Sequence, residues 1–399
     1  HPLGMISKEE VNAKVDAAFD DIVKAATAWT PSKEKQDAQV KPYPAKRFKF
    51  SGTYADVNDM FQKRKWSLSL PIVPPTVDKV AAMLKGTKRN PAEVLWVVPP
   101  RQGMLTVELV AALGVMAGAK PEHMPLLIAT VEAMADPVAA WRGPTTTTAA
   151  TVPVFFISGP IIDKLKLNPG TGTAGGENPV TNALGYFVNL VGDVVGGSVP
   201  PNFDKSTHGS SADLVAMVFT ENAKENPWKT TYAEEAGFKP GDSIVTHFSA
   251  YLGNANIDHD SKTGQRLLTT LSTGLLGSAS GLASCLADYD ATYAINNKVS
   301  FAFIVLCPEH AATIAKDFPD QRAARDFMRE TAAMPYKFYS QETCVPGKDF
   351  GPYDENTFIP RFKKTESIKF FVSGGPGKQS QIWVPFPQVF KPVSKKIAE

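Results

Sequence analysis

The chain of 399 residues has only three cysteines, Cys285, Cys307 and Cys344, and they are widely spaced. An odd number of distant cysteines does not make a disulfide framework, and no Cys-x-x-Cys pair indicates a zinc site. A reducing compartment fits this cysteine usage best, so the sequence predicts a cytoplasmic location.

An excess of charge of one sign and a long apolar run are also missing. The 42 basic and 40 acidic residues leave a formal net charge of +2, so no strong field attracts nucleic acid or an anionic membrane. No stretch approaches the roughly 18 apolar residues that a membrane-spanning helix needs. We therefore expect neither nucleic acid nor a membrane among the partners of this protein.

The histidines and acidic residues do not form a recognisable metal-binding motif. There is no His-Glu-x-x-His motif, and His259, which lies between Asp258 and Asp260, fits an exposed turn better than a ligand set. The sequence therefore predicts a protein that needs no metal and no other cofactor.

What the chain does have is a recurrence of short apolar runs among helical patterns. Val94–Val98, Val154–Ile157, Ser300–Leu306 and Lys369–Ser373 predict strands, and longer stretches such as 105–117, 180–195 and 267–286 have the periodicity of helices. This order predicts an α/β fold with mixed or largely parallel sheets and flanking helices.

We expect two α/β lobes with the site between them. The predicted divisions are an N-terminal helix and connecting arm over residues 1–55, one lobe over 56–250, and a second lobe over 251–399. The proline-rich tail, 385–399, is expected to wrap the surface. The apolar helix at 267–286 leaves a homo-oligomer open.

The clearest candidate site is the loop after the last predicted strand, Ser373-Gly374-Gly375-Pro376-Gly377-Lys378. In α/β sheets, ligands collect at the carboxyl ends of the strands, and glycines there let backbone N–H groups approach an anion closely. We expect Gly374, Gly375, Gly377 and Lys378 to bind an anionic substrate. The loop fits neither nucleotide-binding glycine pattern. An ordinary glycine turn is the alternative.

A second candidate is Cys307-Pro308-Glu309-His310, which also follows a predicted strand directly. A cysteine at the start of a helix can have its thiolate favoured by the helix N-terminus, and glutamate and histidine are common proton-transfer residues. The alternative is a helix start with a buried cysteine and a first-turn acid.

Polar residues between 182 and 222 form the third candidate. Asn182 is a candidate substrate ligand, and His208 and Glu221 are candidate acids or bases. Arg101, after the strand at 94–98, can clamp a carboxylate. A solvated loop is the alternative for His208, and a surface ion pair for Arg101. Pro-Glu-His occurs twice, at 121–123 and 308–310, by coincidence or by a remote internal duplication.

Several short phrases in this order are similar to a group of bacterial proteins related to, or accompanying, the UGSC-motif selenoproteins. They are Leu70-Pro71-Ile72-Val73-Pro74-Pro75-Thr76, Pro99-Pro100-Arg101-Gln102-Gly103, Pro308-Glu309-His310-Ala311 and Gly374-Gly375-Pro376-Gly377-Lys378. The resemblance covers roughly residues 55–395. This chain lacks the UGSC motif itself, so if the group performs thiol or selenol chemistry, the nucleophile is missing or moved, and Cys307 is the only cysteine next to a motif.

These features together predict an enzyme that acts on a small anionic organic molecule. It would cleave or form a carbon–heteroatom bond by acid/base chemistry, as a lyase or hydrolase. Glu309 and His310, with Glu221 or His208, would move protons, and Arg101 would orient the substrate. The alternatives are a redox partner protein that uses the Cys307 thiol, and a non-catalytic binding protein that uses the same loops.

Overall fold

A computed structural model describes residues 7–28, 44–176, 178–199, 207–251, 253–277, 301–338, 353–386 and 389–398. The chain divides into a short unit, His1–Lys41, and a larger one, Pro42–Glu399. In the short unit, α1 (Lys8–Ala28) confirms the predicted N-terminal helix. Among the residues described, no helix is long and apolar enough to cross a membrane. Cys285 and Cys344 lie outside this part of the chain.

The larger unit alternates helices and strands, and its helices pack on the outer faces of its two central sheets. Its helices are α2 (Tyr54–Lys63), α3 (Val77–Leu84), α4 (Val107–Met116), α5 (Met124–Ala135), α6 (Ile161–Lys164), α7 (Pro179–Asn189), α8 (Tyr232–Glu235), α9 (Gly264–Gly277), α10 (Pro308–Asp317) and α11 (Gln321–Thr331). Its strands are β1 (Val94–Val98), β2 (Gly103–Thr106), β3 (Thr151–Ser158), β4 (Met217–Thr220), β5 (Ile244–Tyr251), β6 (Asn254–Ile257), β7 (Ala302–Leu306), β8 (Ala333–Pro335), β9 (Phe358–Pro360), β10 (Ile368–Val372), β11 (Gln379–Trp383) and β12 (Val393–Lys396).

Two mixed four-stranded sheets form the centre of the larger unit. The first has the strand order β12-β5-β3-β4, and the second has the order β10-β7-β11-β6. In each sheet one pair is parallel, β3 with β4 and β7 with β10, and the other neighbours are antiparallel. The predicted α/β class with mixed sheets is confirmed. The tail does not only wrap the surface, because its β12 pairs with β5 inside the first sheet.

A layer of aromatic side chains joins the inner faces of the two sheets. The ring of Phe156 on β3 stacks on that of Phe303 on β7 at 4.4 Å between centroids, and it meets Phe371 on β10 edge-on at 4.8 Å. Phe248 on β5 also stacks on Phe303, at 5.1 Å. All four side chains are buried. The two sheets therefore pack face to face as a sandwich.

The outer face of each sheet packs on helices. Phe155 and Ile157 on β3 point away from the aromatic layer and join a core formed with α4, α5 and α7. Ile304 and Leu306 on β7 join a second core formed with α9, α10 and α11. The residues on both faces of β3 and β7 are therefore apolar, which is typical of strands that are covered on both sides.

The two sheets follow the same strand plan. In each, a strand leads through helices to a parallel neighbour, and the next strand pairs antiparallel on the other side of the first. The fourth strand is exchanged: β6 follows β5 but completes the second sheet, and β12 follows β11 but completes the first. The two Pro-Glu-His segments do not occupy equivalent places in this plan, since 121–123 precedes α5 and 308–310 begins α10.

The carboxyl ends of β4 and β10 meet between the sheets. The backbone N–H of Asn222 donates to the carbonyl of Val372 at 2.8 Å. In return, Ser373 Oγ donates to the carbonyl of Thr220 at 2.7 Å. Asn222 Nδ2 also donates to the carbonyl of Gly374 at 3.1 Å. The loops that follow the two parallel pairs therefore share one edge of the sandwich.

Phe156→Ala should lower the free energy of unfolding by about 3–5 kcal/mol, because it removes the ring at the centre of the aromatic layer. Urea denaturation followed by far-ultraviolet circular dichroism measures the change. The matched control is Phe358→Ala, whose ring is 67% exposed, with an expected change within about 0.5 kcal/mol. Equal losses in the two variants would contradict a core built on this layer.

Candidate active site

Cys307 lies at the junction between β7 and α10. It is the residue that precedes the first turn of the helix, and Pro308 occupies the first helical position, where its missing N–H costs nothing. The side chain is 6% exposed. The antiparallel pairing of β11 with β7 places Ser380 next to it, and Cys307 N–H donates to Ser380 Oγ at 3.4 Å.

His310 is held in the first turn of α10 by two hydrogen bonds. Its Nδ1 lies 2.8 Å from Ser380 Oγ, and its Nε2 lies 3.1 Å from the carbonyl oxygen of Asp258. A carbonyl only accepts, so Nε2 carries a proton and donates to it. In the neutral ring, Nδ1 then accepts from the Ser380 hydroxyl. The ring is buried, and its orientation is fixed from two sides.

The Cys307 thiol and the His310 imidazole shift the pKa values of each other. Burial raises the pKa of the thiol, but the His310 side chain and the backbone amides of His310 and Gln379 outweigh it, and the net pKa is lowered. Burial lowers the pKa of the imidazole, but Cys307 and the Asp258 carbonyl outweigh it, and the net pKa is raised. Each group therefore favours the charged form of the other, the thiolate of Cys307 and the imidazolium of His310.

Glu309 binds the backbone of the glycine loop. Its Oε2 accepts from the N–H of Gly377 at 2.6 Å and from the N–H of Lys378 at 3.0 Å. The Gly377 amide is the main cause that holds the pKa of this carboxyl below its ordinary value. These two amides were expected to bind an anion from a substrate, and in the structure they bind a carboxylate of the chain itself. The Lys378 ammonium donates to the carbonyl of His259 at 2.9 Å.

The first two glycines of the same loop pack against a second glycine-rich loop, Asn168–Asn178. The N–H of Gly374 donates to the carbonyl of Pro169 at 2.8 Å. A Cβ on Gly375 would lie 2.2 Å from Thr171 Oγ1, so a larger residue cannot occupy this position without displacing the second loop. Position 375 therefore requires glycine because the two loops pack closely there, and not because it binds an anion.

Glu221 follows β4 and is buried on the same edge. One carboxylate oxygen accepts from the N–H of Tyr232 at the start of α8 at 2.7 Å, and the other bonds with the Ser158 hydroxyl at the end of β3. Burial raises the pKa of Glu221 above its ordinary value. Its carboxylate thus ties two chain segments together inside the protein.

The remaining predicted residues lie in other surroundings. Asn182, in α7, donates through Nδ2 to the carbonyl of Gly176 at 3.1 Å and so fastens the second glycine loop. Arg101 lies in the turn of the separate β1–β2 hairpin, where its N–H donates to the carbonyl of Gly196 and its side chain covers Gly197. His208 is exposed in a turn. The hydrogen bonds described above bring together Cys307, Glu309, His310 and the glycine loop, and they do not include Arg101 or His208.

Ser380 and Asp258 are parts of the site that sequence reasoning missed. Ser380 lies on β11, which the apolar pattern does not reveal, and Asp258 contributes only a backbone carbonyl. Neither leaves a signal in the sequence near Cys307. Within the described residues, no three histidine, cysteine, aspartate or glutamate side chains are grouped as a metal site.

No family model, curated protein or solved structure matches this chain significantly.

Glu309→Ala should speed amide hydrogen exchange at Gly377 and Lys378 by about tenfold, because both N–H groups lose their acceptor. In the wild type, the ionised Glu309 carboxylate protects both amides fully above the ordinary carboxyl pKa of 4.5. This protection is lost as the pH falls through the lower pKa that Glu309 has in the folded protein. Mass spectrometry of a peptide that spans 373–380 measures the exchange. Glu330→Ala, at an exposed carboxylate, is the control, and unchanged exchange in Glu309→Ala would contradict the contact.

Glu221→Gln should relieve a pH-dependent loss of stability. A carboxyl whose pKa is raised by burial stabilises the fold fully below its ordinary value of 4.5, and this contribution is lost as pH rises through the folded value. As the pH rises through the pKa that Glu221 has in the folded protein, the free energy of unfolding of the wild type should therefore fall relative to that of Glu221→Gln. Urea denaturation at several pH values measures the difference. Glu221→Ala should cost about 1–3 kcal/mol at all pH values, because it leaves the Tyr232 N–H without an acceptor. Parallel pH profiles for wild type and Glu221→Gln would contradict the raised pKa.

Proposed function

We propose that the protein is an enzyme in which the Cys307 thiolate attacks a small organic substrate at a carbon–heteroatom bond, with His310 as the proton carrier. The observation that carries the proposal is the geometry at the junction of β7 and α10, where Ser380 Oγ accepts from the Cys307 N–H and lies 2.8 Å from His310 Nδ1, so the imidazole is fixed one helical turn after the thiol. The directions of the two pKa shifts agree with this arrangement. Thiolate nucleophiles beside a histidine at a helix N-terminus are a recurrent solution for covalent catalysis.

The chemistry that fits these groups is acyl transfer to the thiol followed by hydrolysis. The thiolate sulfur forms a bond to the substrate carbonyl carbon, and the bond from that carbon to the leaving nitrogen or oxygen breaks. The Nδ1 proton of the imidazolium leaves its hydrogen bond with Ser380 Oγ and passes to the leaving atom, while Nε2 stays bonded to the Asp258 carbonyl. Neutral His310 then takes a proton from a water molecule whose oxygen attacks the thioester. The acid leaves, and the thiolate and imidazolium are restored.

In this proposal, the residues around the pair position it rather than react. Ser380 and the Asp258 carbonyl orient the imidazole, as an orienting third group does in other nucleophile–base pairs. Glu309 accepts from the Gly377 N–H and so holds the glycine loop in place. This positioning role takes the place of the proton-transfer role that the sequence predicts for Glu309. The Lys378 ammonium, which donates to the His259 carbonyl, adds a positive charge at the end of this loop, which favours an anionic substrate. Because Cys307 is only 6% exposed, the substrate should be small.

The resemblance to the UGSC-related group is compatible with this proposal. The chain lacks the motif of that group, and Cys307 is the cysteine that adjoins one of the shared phrases, Pro308-Glu309-His310-Ala311. A nucleophile moved to the β7–α10 junction would reconcile the missing motif with thiol chemistry.

Labelling of Cys307 with iodoacetamide should show a thiol pKa below its ordinary value of 9.0. The experiment uses the Cys285→Ser/Cys344→Ser background, so that Cys307 is the only thiol, and mass spectrometry follows the rate against pH. His310→Asn should move the profile to higher pH, because the imidazolium that stabilises the thiolate is lost. A wild-type profile with the ordinary thiol pKa would contradict the activated pair.

Turnover of small activated esters and thioesters tests the catalytic role. In the same background, Cys307→Ala should abolish turnover, and His310→Asn should lower kcat by about 10²–10⁴-fold. Arg101→Ala, which lies outside the proposed catalytic set, is the control and should leave kcat unchanged. If Cys307→Ala keeps wild-type turnover, the protein works without a covalent thiol step. If the wild type reduces peroxide through Cys307 and turns over no ester, the result would instead support the alternative of a redox partner protein.

A further inference from the structure

A large apolar cleft lies outside the candidate active site, between α2, α3, α4 and an extended segment, residues 45–51, that we call the strap. Its volume is about 1130 Å³, slightly above the roughly 300–1,000 Å³ of ordinary small-molecule pockets. Phe61, Trp66, Leu109 and Met116 form part of its wall. Neither Cys307 nor the glycine loop contributes to its lining.

The rim of the cleft holds large apolar side chains in contact with water. Phe48 and Phe50 of the strap are 49% and 45% exposed, Val77 at the start of α3 is 58% exposed, and Met104 on β2 is 39% exposed. Exposed apolar side chains scattered singly are normal, but four around one concave site mark a place where an apolar partner is bound. An apolar chain would therefore contact exposed apolar side chains at the rim and buried ones inside the cleft.

The charge at the cleft is positive and comes from the strap. Lys46, Arg47 and Lys49 alternate with the two phenylalanines and belong to the lining. Among the described residues of that lining, Glu108 is the one carboxylate, and its oxygens already accept from the N–H of Ala45 at 2.7 Å and from Arg47 Nη2 at 3.1 Å. Three cations against one paired carboxylate leave a net charge of about +2 at the entrance, by simple charge counting.

The strap has fixed contacts on the cleft and does not merely pass over it. Glu108 is 4% exposed and holds the start of the strap through the two contacts above. The Arg64 guanidinium lies over the rings of Phe48 and Trp66, 5.1 and 4.9 Å from their centroids, which joins the strap to the loop after α2. The part of the strap that carries Lys46, Arg47 and Lys49 is therefore fixed in place on the cleft.

We propose that this cleft binds a single-chain amphiphile with an anionic head, of the fatty-acid class. The alkyl chain lies among the apolar side chains of α2, α3 and α4, where its burial supplies most of the affinity. The carboxylate head lies at the strap and pairs with Lys46, Arg47 and Lys49. A cationic amphiphile with the same chain meets the net positive entrance and binds more weakly.

Displacement of the neutral dye N-phenyl-1-naphthylamine tests the proposal with the full chain. Laurate should displace the dye at about tenfold lower concentration than dodecyltrimethylammonium, which has the same alkyl chain and the opposite charge. Lys46→Glu/Lys49→Glu should weaken laurate by about tenfold or more and leave or strengthen the cation. Lys79→Glu/Lys88→Glu, two exposed lysines outside the lining, is the matched control and should change neither.

Substitutions that fill the cleft test whether the dye binds there or elsewhere on the surface. Ala112→Trp should abolish displaceable dye binding, and Ala81→Trp gives the same test from α3 if the first variant fails to fold. Displacement that ignores the charge of the head, or dye binding that survives both substitutions, would overturn the proposal. So would light scattering that shows a dimer together with no displacement of the dye by laurate, because a second copy would then occupy the cleft.

Discussion

The stacking of Phe156 on Phe303 joins strands of different sheets, and the positions of the other elements depend on it. Because β3 and β7 each turn a phenylalanine inward, the two sheets must face each other, and their opposite faces need other cover. Side chains alternate along a strand, so the neighbours of these phenylalanines point outward and are just as apolar. Helices on both outer surfaces follow from that, since a bare apolar sheet face is not stable in water.

The position of the candidate active site is a consequence of the same packing. Once the sheets face each other, β4 and β10 end side by side, and Asn222 and Ser373 exchange hydrogen bonds across the gap. The loops after the parallel strands then lie on one edge. Cys307 leaves β7 at that edge directly into α10, so the thiol meets the N-terminus of a helix and the His310 ring one turn further on. No flexible segment is needed to assemble the pair.

The sequence predicts this arrangement only where local pattern decides it. The run 154–157 is apolar on both faces, and this local pattern is enough to predict a buried strand. In contrast, β11 and β12 contain mostly polar residues, and they form strands because they pair with β7 and β5. In the same way, the place of Cys307 after a strand could be read locally. The partner of Glu309 could not, because the amides of Gly377 and Lys378 are 68 and 69 residues away in the chain.

The repeated strand plan places different side chains at equivalent points of one backbone frame. The N–H of Glu221 donates to the carbonyl of Ile157, and the N–H of Ser373 donates to that of Leu306, so Ser158 and Cys307 occupy equivalent places. In the first sheet the hydroxyl bonds with a carboxylate that also caps α8, and both groups are consumed by the fold. In the second sheet, Ser373 has no carboxylate to offer, and His310 follows Cys307 by one helical turn, held by Ser380 and the Asp258 carbonyl. The difference between the two ends therefore rests on a few side chains at equivalent strand ends.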